Sequence, residues 1–331
     1  MTEPAPLADD ALHVTLLRPS VGEHHAARQW IGAASTLFTD SGAPITDPVP
    51  YQVVGGPGTG KTSLLIDLAC SYCRQPEHSS DAVLLLTQSK RAVAALSEEI
   101  AAQLVGSDGL ASQQPLIRTV HSYAYSLLAR IAAAEGAPAP KLLTGAEKDV
   151  IYREMLATIA EDGTNLWPEW IRPALTTVGF ARELRDLISR TAERGLDGVA
   201  LRALGEAAGE PAWIAAGQFA TDFERIQLLR ASVGAAREEE ISPALDAAEL
   251  VGAVLEGLAT HPDILARERQ RLQLLLVDDA HHLDPQMAEL IDTIRSGAQL
   301  TVLAGDPDQM VFRFRGADPS YFHNLAPLGS S

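Results

Sequence analysis

Short apolar runs alternate with amphipathic stretches along much of the chain. The runs have the length of buried strands, which usually span about 4–8 residues. They lie at residues 51–54, 81–87, 116–120, 272–277 and 299–304. Helical periods follow the first three runs, at residues 63–72, 91–104 and about 122–133, and a further helix-like stretch covers residues 24–38.

Strands that alternate with helices predict a parallel sheet with helices on both faces. The pattern changes at residues 132–140, which are rich in Ala, Gly and Pro. From 144 to 269 the chain has helical periods and no convincing strand. We therefore predict an α/β nucleotide-binding domain that is interrupted by an all-helical insertion.

The composition supports a folded protein with a sizeable core. Of the 331 residues, 46% are hydrophobic, which excludes an intrinsically disordered chain. No apolar run reaches the ~18 residues that a membrane-spanning helix needs. The acidic start fits neither a secretory nor a transit signal, so we expect a cytoplasmic protein.

The charge balance limits the ways in which this chain could bind nucleic acid. Its 43 acidic and 26 basic residues give a formal net charge of −17. Phosphate contacts need clustered Lys and Arg, so composition alone argues against a general nucleic-acid binder, and any DNA groove must be local.

The two cysteines, Cys70 and Cys73, exclude a disulfide scaffold and form a C-x-x-C within an apolar helical run. A zinc site would need two further ligands at a suitable spacing, and none is evident. Buried helix cysteines are therefore the preferred interpretation.

The most specific motif is a phosphate loop between a predicted strand and a predicted helix. It comprises Gly55, Gly56, Pro57, Gly58, Thr59, Gly60, Lys61 and Thr62, with Ser63 directly after it. Glycines let consecutive backbone N–H groups face a phosphate, Lys61 would reach the β- and γ-phosphates, and the Thr62 hydroxyl would ligate Mg²⁺. The alternative, an ordinary Gly-rich turn, is disfavoured by the flanking strand and helix.

Two further strand ends carry candidate catalytic side chains. Asp278 closes an apolar strand, where a carboxylate can hold Mg²⁺ opposite the phosphate loop, and Asp279 is the candidate for activating water. The alternative is that both merely end a strand and cap a helix. Gln309 follows Gly-Asp-Pro-Asp after the last strand and could sense a γ-phosphate, although this sequence is also typical of a surface turn.

Several segments together resemble the UvrD/Rep-like superfamily-one DNA helicases, in the order that this family has. They are the phosphate loop, TQSKRA at 87–92, TVHSY at 119–123, LVDDAH at 276–281 and GDPDQMVFRFRGA at 305–317. The resemblance covers roughly residues 50–320. The sequence of the helical insertion around WPEW at 167–170 and at 194–195 is similar to that of the actinobacterial AdnA/AdnB helicase-nuclease type.

This resemblance implies a RecA-like P-loop domain and ATP-driven translocation on single-stranded DNA. It implies that Lys61, Thr62 and Asp278 bind Mg·ATP, that Asp279 replaces the usual Glu, and that Gln309 contacts the γ-phosphate or its water. The implied contacts to the DNA backbone are Ser89, Lys90, Thr119 and His121. Tyr123, Phe312 and Phe314 are candidates for base stacking, with core packing as the alternative.

The predicted organisation has an extension at 1–49, a RecA-like ATP-binding domain at 50–131 and 271–331, and the helical insertion at 132–270. Three positions depart from the family: Gln88 stands where many relatives have an aromatic residue, Asp279 is one methylene shorter than Glu, and His281 replaces Gln.

The family also has a second RecA-like domain, which supplies arginines to the transferring phosphoryl group and which we do not find in this sequence. We therefore expect a motor half that binds Mg·ATP and hydrolyses it very slowly alone, completed by a second RecA-like domain or a partner helicase-nuclease subunit. The alternatives are a degenerate ATP-binding regulatory subunit and an unrelated P-loop phosphotransferase.

Overall fold

The structure is a computed structural model. It describes residues 28–104, 114–163, 166–235, 244–310 and 317–325.

A five-stranded parallel sheet forms the centre of the fold, in the order β1-β7-β6-β2-β3. A second, two-stranded parallel sheet joins β4 to β5. The strands are β1 Asp47–Val54, β2 Val83–Thr87, β3 Leu116–Thr119, β4 Lys141–Leu142, β5 Ala244–Leu245, β6 Leu274–Val277 and β7 Leu300–Gly305. All five strand-like runs are therefore confirmed.

The helices connect and cover these strands. They are α1 Lys61–Cys73, α2 Lys90–Leu104, α3 Val120–Ala134, α4 Gly145–Glu161, α5 Val178–Ala192, α6 Gly198–Ala208, α7 Pro211–Ala235, α8 Ala247–Thr260, α9 Pro262–Arg271, α10 Pro285–Arg295 and α11 Pro319–His323. No helix among the described ranges is both long enough and apolar enough to cross a membrane.

Two expectations about local structure were wrong. Within the stretch 24–38, the described part contains only a 3₁₀ helix, Gly32–Leu37, in place of a longer helix. β5 lies in the region where no strand was expected. Two residues are too few for a hydrophobic alternation, so the pattern carries no signal for such a strand.

The sheet is buried on both faces, as its continuous apolar strands require. Successive side chains of a strand point to opposite faces, so Val83 and Leu85 pack with α1 and α2, while Leu84 and Leu86 pack with α3, α8 and α10. This arrangement confirms the α/β class, with helices on either side of a parallel sheet.

The helical insertion has its own apolar core, built from α4, α5, α6 and α7. Tyr152 contacts Phe219 and Phe223 edge to face, with ring centroids 5.0 Å apart in both pairs. In contrast, α8 and α9 pack in the core of the sheet. α8 and α9 thus lie inside the range 132–270 predicted for the insertion and yet contribute to the core of the sheet, because helical periods do not reveal which core a helix joins.

A buried lysine joins the insertion to the sheet domain. Lys148 on α4 is 1% exposed and donates to Asp246 and to Glu249 at the start of α8, the latter at 3.0 Å. Asp246 also caps α8 in a capping box with Glu249. The two carboxylates thus hold the helix start and the lysine together.

A second buried network surrounds Glu268 on α9, which is 1% exposed. Its carboxylate accepts hydrogen bonds from Tyr123 (2.7 Å), Arg130 (2.7 Å) and Arg271. Burial alone would raise the pKa of Glu268, but these hydrogen bonds outweigh it and lower the pKa to about 2. The network fastens α3 to α9 on one face of the sheet.

We expect Glu268→Gln to lower the free energy of unfolding at pH 7 by about 3–5 kcal/mol, the cost of breaking a buried ion pair from one side. Because the pKa of Glu268 falls from 4.5 to about 2 on folding, its stabilisation is complete above about pH 4.5 and is lost as the pH falls towards 2. Urea unfolding at several pH values should therefore show the difference between wild type and variant shrinking in acid. Glu206→Gln, in an exposed pair with Arg202, is the matched control and should change stability by less than about 1 kcal/mol. A difference that does not depend on pH would contradict this role of Glu268.

Candidate functional site

The phosphate loop (residues 55–62) leaves the end of β1 and enters the start of α1. Gly58 and Gly60 have φ values of 71° and 90°, in the left-handed region that favours glycine. A Cβ on Gly55 would lie 2.5 Å from Thr59 Oγ1, so the loop closes tightly across this glycine. The alternative of an ordinary turn does not account for a loop that feeds directly into a helix N-terminus, where anions are stabilised.

The Lys61 ammonium lies over the loop itself. Its Nζ donates to the carbonyl oxygens of Gly55 at 2.5 Å and Gly56 at 2.8 Å. The cation is thus held at the mouth of the loop by neutral acceptors, which a phosphate oxygen could replace with a stronger charged partner.

Thr62 and Asp278 meet although they are distant in the chain. The Thr62 hydroxyl donates to Asp278 Oδ2 at 2.9 Å, and the Asp278 N–H donates to Leu86 O of β2 at 2.8 Å. Burial raises the pKa of Asp278 to about 6, the nearby Asp279 charge adds to the rise, and the hydrogen bond from Thr62 opposes it. A hydroxyl and a buried carboxylate side by side are oxygen ligands of the kind that Mg²⁺ prefers.

Asp279 has an unusual backbone. Its φ of 53° makes it the one residue other than glycine with a left-handed backbone among those described. Its side chain makes no capping hydrogen bond to the 3₁₀ helix Ala280–His282 that follows, so the helix-cap alternative receives no support. The Gln88 amide approaches its carbonyl oxygen at 3.5 Å, so the side chain that replaces a family aromatic contacts the backbone of the candidate base.

Gln309 ends a 3₁₀ turn, Pro307–Gln309, after β7. Asp306 shapes this turn, since its side chain accepts the Asp308 N–H at 3.2 Å and its carbonyl oxygen accepts the Gln309 N–H at 3.0 Å. The turn chemistry read from the sequence is therefore present, and the Gln309 side chain is exposed.

The residues predicted to contact the DNA backbone lie at the starts of two helices. Ser89 and Lys90 are exposed at the start of α2, where Ser89 Oγ accepts the Ala92 N–H at 3.1 Å. Thr119 caps α3 by accepting the Ser122 N–H at 3.1 Å. His121 is half-buried, and burial lowers its pKa.

Tyr123 is 1% exposed and bonded to Glu268, which supports the core-packing alternative over base stacking. Tyr123 has the same helical spacing as the apolar core residues of α3, and a stacking aromatic could have that spacing too. The sequence alone could therefore not decide between core packing and base stacking. Phe312 and Phe314 lie outside the described residues.

Trp30 adjoins the phosphate loop, and sequence reasoning missed it. Its ring lies 3.4 Å from the position that a Cβ on Gly60 would take, and its Nε1–H donates to Asp67 on α1 at 3.0 Å. Arg28 also pairs with Asp67, at 3.0 Å. A lone Trp upstream of the motif carries no periodic signal; its hydrogen bond to Asp67 and its packing against the apolar core place it beside the loop.

Cys70 and Cys73 are free thiols on α1. Cys70 is fully buried, as the interpretation as a helix cysteine requires, and burial raises its pKa to about 12 and that of Cys73 to about 11. Cys73 is half-buried, and both thiols favour the protonated form near neutral pH.

Comparison with known proteins gives two findings. Residues 43–327 match the profile of the UvrD/REP helicase N-terminal domain. The chain is also 22% identical over 286 residues to a Bacillus subtilis (strain 168) protein named "Putative ATP-dependent DNA helicase YjcD". That match covers 86% of this chain and 34% of the relative, so the chain spans about a third of the length of the relative it matches.

We expect Thr62→Val to raise the pKa of Asp278 above its value of about 6, because the variant removes the hydrogen bond that stabilises the charged carboxylate. A hydrogen bond to a charged group is worth about 1.5–3 kcal/mol, so the pKa should rise by at least about 1. The measurement is a carbon-13 NMR titration of the Asp278 carboxyl in the nucleotide-free protein. Thr59→Val is the matched control, since Thr59 Oγ1 bonds Gly56 O instead. Equal pKa values in the two variants would show that Thr62 does not set the Asp278 charge.

Proposed function

We propose, because the chain belongs to the UvrD/REP helicase family, that it is the ATP-binding N-terminal motor half of a DNA helicase that acts in DNA unwinding, translocation and end processing. The observation that supports this best is the 2.9 Å contact between Thr62 and Asp278. It joins the phosphate loop to the end of β6, which is the arrangement that Mg·ATP chemistry requires.

The residues of the site have separable roles in this proposal. The N–H groups of the phosphate loop and Lys61 bind the β- and γ-phosphates, and Ser63 lies at the first turn of α1. Thr62 and Asp278 hold Mg²⁺, which when bound neutralises charge on the phosphate oxygens. Asp279 accepts a proton from the attacking water, and Gln309 orients that water or contacts the γ-phosphate.

DNA would bind at the helix starts that carry Ser89, Lys90, Thr119 and His121. The net charge of −17 confines such contacts to this local surface, so the affinity of this chain for single-stranded DNA should be weak and should fall with salt. The cytoplasmic location and the AdnA/AdnB-like type, both suggested by the sequence, remain predictions within this proposal.

Hydrolysis would need an additional group. Within the described ranges, no arginine is hydrogen-bonded to Lys61, Asp278 or Asp279. An arginine that stabilises the transferring phosphoryl group contributes a factor of ~10³–10⁵ in related systems. We propose that a second RecA-like domain or a partner helicase-nuclease subunit supplies it.

A second candidate is a degenerate ATP-binding subunit that regulates a partner motor. The observation that favours it is Asp279, which is shorter than Glu and has a left-handed backbone. A displacement of ~1 Å at a catalytic base can cost ~100-fold in rate. This candidate binds ATP as tightly but hydrolyses it at no appreciable rate, even with DNA and a partner domain.

The test is calorimetric titration of the purified chain with Mg·ATP, together with a turnover assay with and without single-stranded DNA. Lys61→Ala should weaken binding by about 100-fold, since it removes the charged partner of two phosphates. Lys141→Ala, at an exposed lysine on β4 of the second sheet, is the control and should bind like wild type.

Turnover should be slow in the wild-type chain alone and should rise when a second RecA-like domain is added. Binding that does not depend on Lys61 would contradict the proposed site. Fast turnover by the chain alone would contradict the need for an added arginine. Persistent inactivity with both DNA and the second domain would favour the regulatory candidate.

A further inference from the structure

His281 lies between the ends of β6 and β7, outside every role assigned above. It is 2% exposed. Its Nδ1 accepts the N–H of Asp306 at 3.1 Å. The ladder between the two strands ends at Val277 and Leu303, so the imidazole extends the connection beyond the last paired residues.

The peptide group that His281 holds is also bonded to the phosphate loop. The carbonyl oxygen of Gly305 accepts the N–H of Gly55 at 3.3 Å, while the N–H of the same planar unit, that of Asp306, donates to His281. A peptide group is rigid and planar, so its two hydrogen bonds fix its orientation. One peptide therefore connects the first glycine of the loop to the side chain that follows the Asp278 strand.

The imidazole has little room to move. A Cβ on Gly305 would lie 3.0 Å from His281 Nδ1 and 3.1 Å from Phe322 Cζ, so the ring packs directly on the backbone at this glycine. The His282 ring lies beside it, with centroids 3.9 Å apart. Burial lowers the pKa of His281, which keeps the ring neutral with Nδ1 as the acceptor and the proton on Nε2.

Asp306 transmits this orientation to Gln309. Its carbonyl oxygen and its carboxylate accept the N–H groups of Gln309 and Asp308, so the turn follows the peptide that His281 fixes. Without an acceptor at His281, the buried N–H of Asp306 would have to rotate to find a partner.

We propose that His281 is a positioning residue that orients the Gln309 turn towards the phosphate loop, and that the site thereby distinguishes a nucleoside triphosphate from a diphosphate. This inference rests on the proposed function, since it assigns Gln309 to the γ-phosphate. It deepens that proposal by giving a role to His281, which stands where the family has Gln.

The test measures the affinities of each protein for Mg·AMP-PNP and for Mg·ADP. The proteins are wild type, three single variants (His281→Leu, His281→Asn and Gln309→Ala) and the double variant that combines His281→Leu with Gln309→Ala. Leu fills the space without an acceptor, whereas Asn places an oxygen on Cγ where His has Nδ1. His281→Leu should lower the ratio of triphosphate to diphosphate affinity by about tenfold, as the loss of about one hydrogen bond implies. The affinity for Mg·ADP should fall by much less than that for Mg·AMP-PNP, because only the triphosphate reaches the Gln309 turn in the proposed function.

Gln309→Ala should produce the same fall, and the double variant no further fall, because the two residues act through one turn. His281→Asn should retain most of the ratio. A purely structural role would weaken both nucleotides together, and that result would overturn the proposal. An unchanged ratio in His281→Leu, with Gln309→Ala impaired, would also overturn it.

Two measurements without nucleotide keep the inference testable if the Leu variant folds poorly. Nitrogen-15 NMR of wild type should show an imidazole protonated at Nε2, and hydrogen exchange should show a protected Asp306 amide that His281→Asn preserves. A proton on Nδ1, or an unprotected Asp306 amide, would overturn the proposal. A wild-type chain that binds neither nucleotide contradicts the proposed function itself, and the selectivity falls with it; binding with an unaltered ratio in His281→Leu overturns the role of His281 alone.

Discussion

The hydrogen bond between Thr62 and Asp278 depends on the parallel sheet beneath it, and the candidate site depends on that bond in turn. Parallel strands bring their carboxyl ends to one edge, so residues far apart in sequence become neighbours once β1, β7, β6 and β2 align. The edge is polar while the strands behind it are fully buried. A carboxylate at such an edge is only partly hydrated, which explains why the Asp278 pKa is raised and why a hydroxyl partner matters.

Two buried charge networks hold the remaining parts in place around this edge. Lys148 is satisfied by carboxylates that already cap α8, so the insertion is attached to the sheet domain at a helix start. Glu268 joins α9 to α3, the helix that Thr119 caps and that carries His121. Buried ion pairs add little net stability compared with apolar packing, but breaking one from a single side is costly. Such networks therefore define geometry more than they add stability.

The sequence predicted the sheet well because its strands are continuous apolar runs, a pattern that a doubly covered parallel sheet imposes. It also indicated the phosphate loop and Asp278, since those residue types are required by their chemistry. It could not place Tyr123, because one face of a helix presents core and surface aromatics at the same spacing. Trp30 and His281 are single residues whose positions depend on long-range partners, Asp67 for one and Asp306 for the other. The packing of α8 and α9 in the core of the sheet is likewise decided by tertiary contacts, which helical periodicity does not reveal.

The left-handed backbone of Asp279 restricts which residues this position accepts without strain. Asp is among the few side chains that tolerate this conformation, and longer or branched ones strain it. Replacing Asp279 with Glu would thus change the energy of the backbone between β6 and the following 3₁₀ helix as well as the length of the side chain. The reach of the carboxylate and the bend of the loop are therefore set together by the residue at this one position.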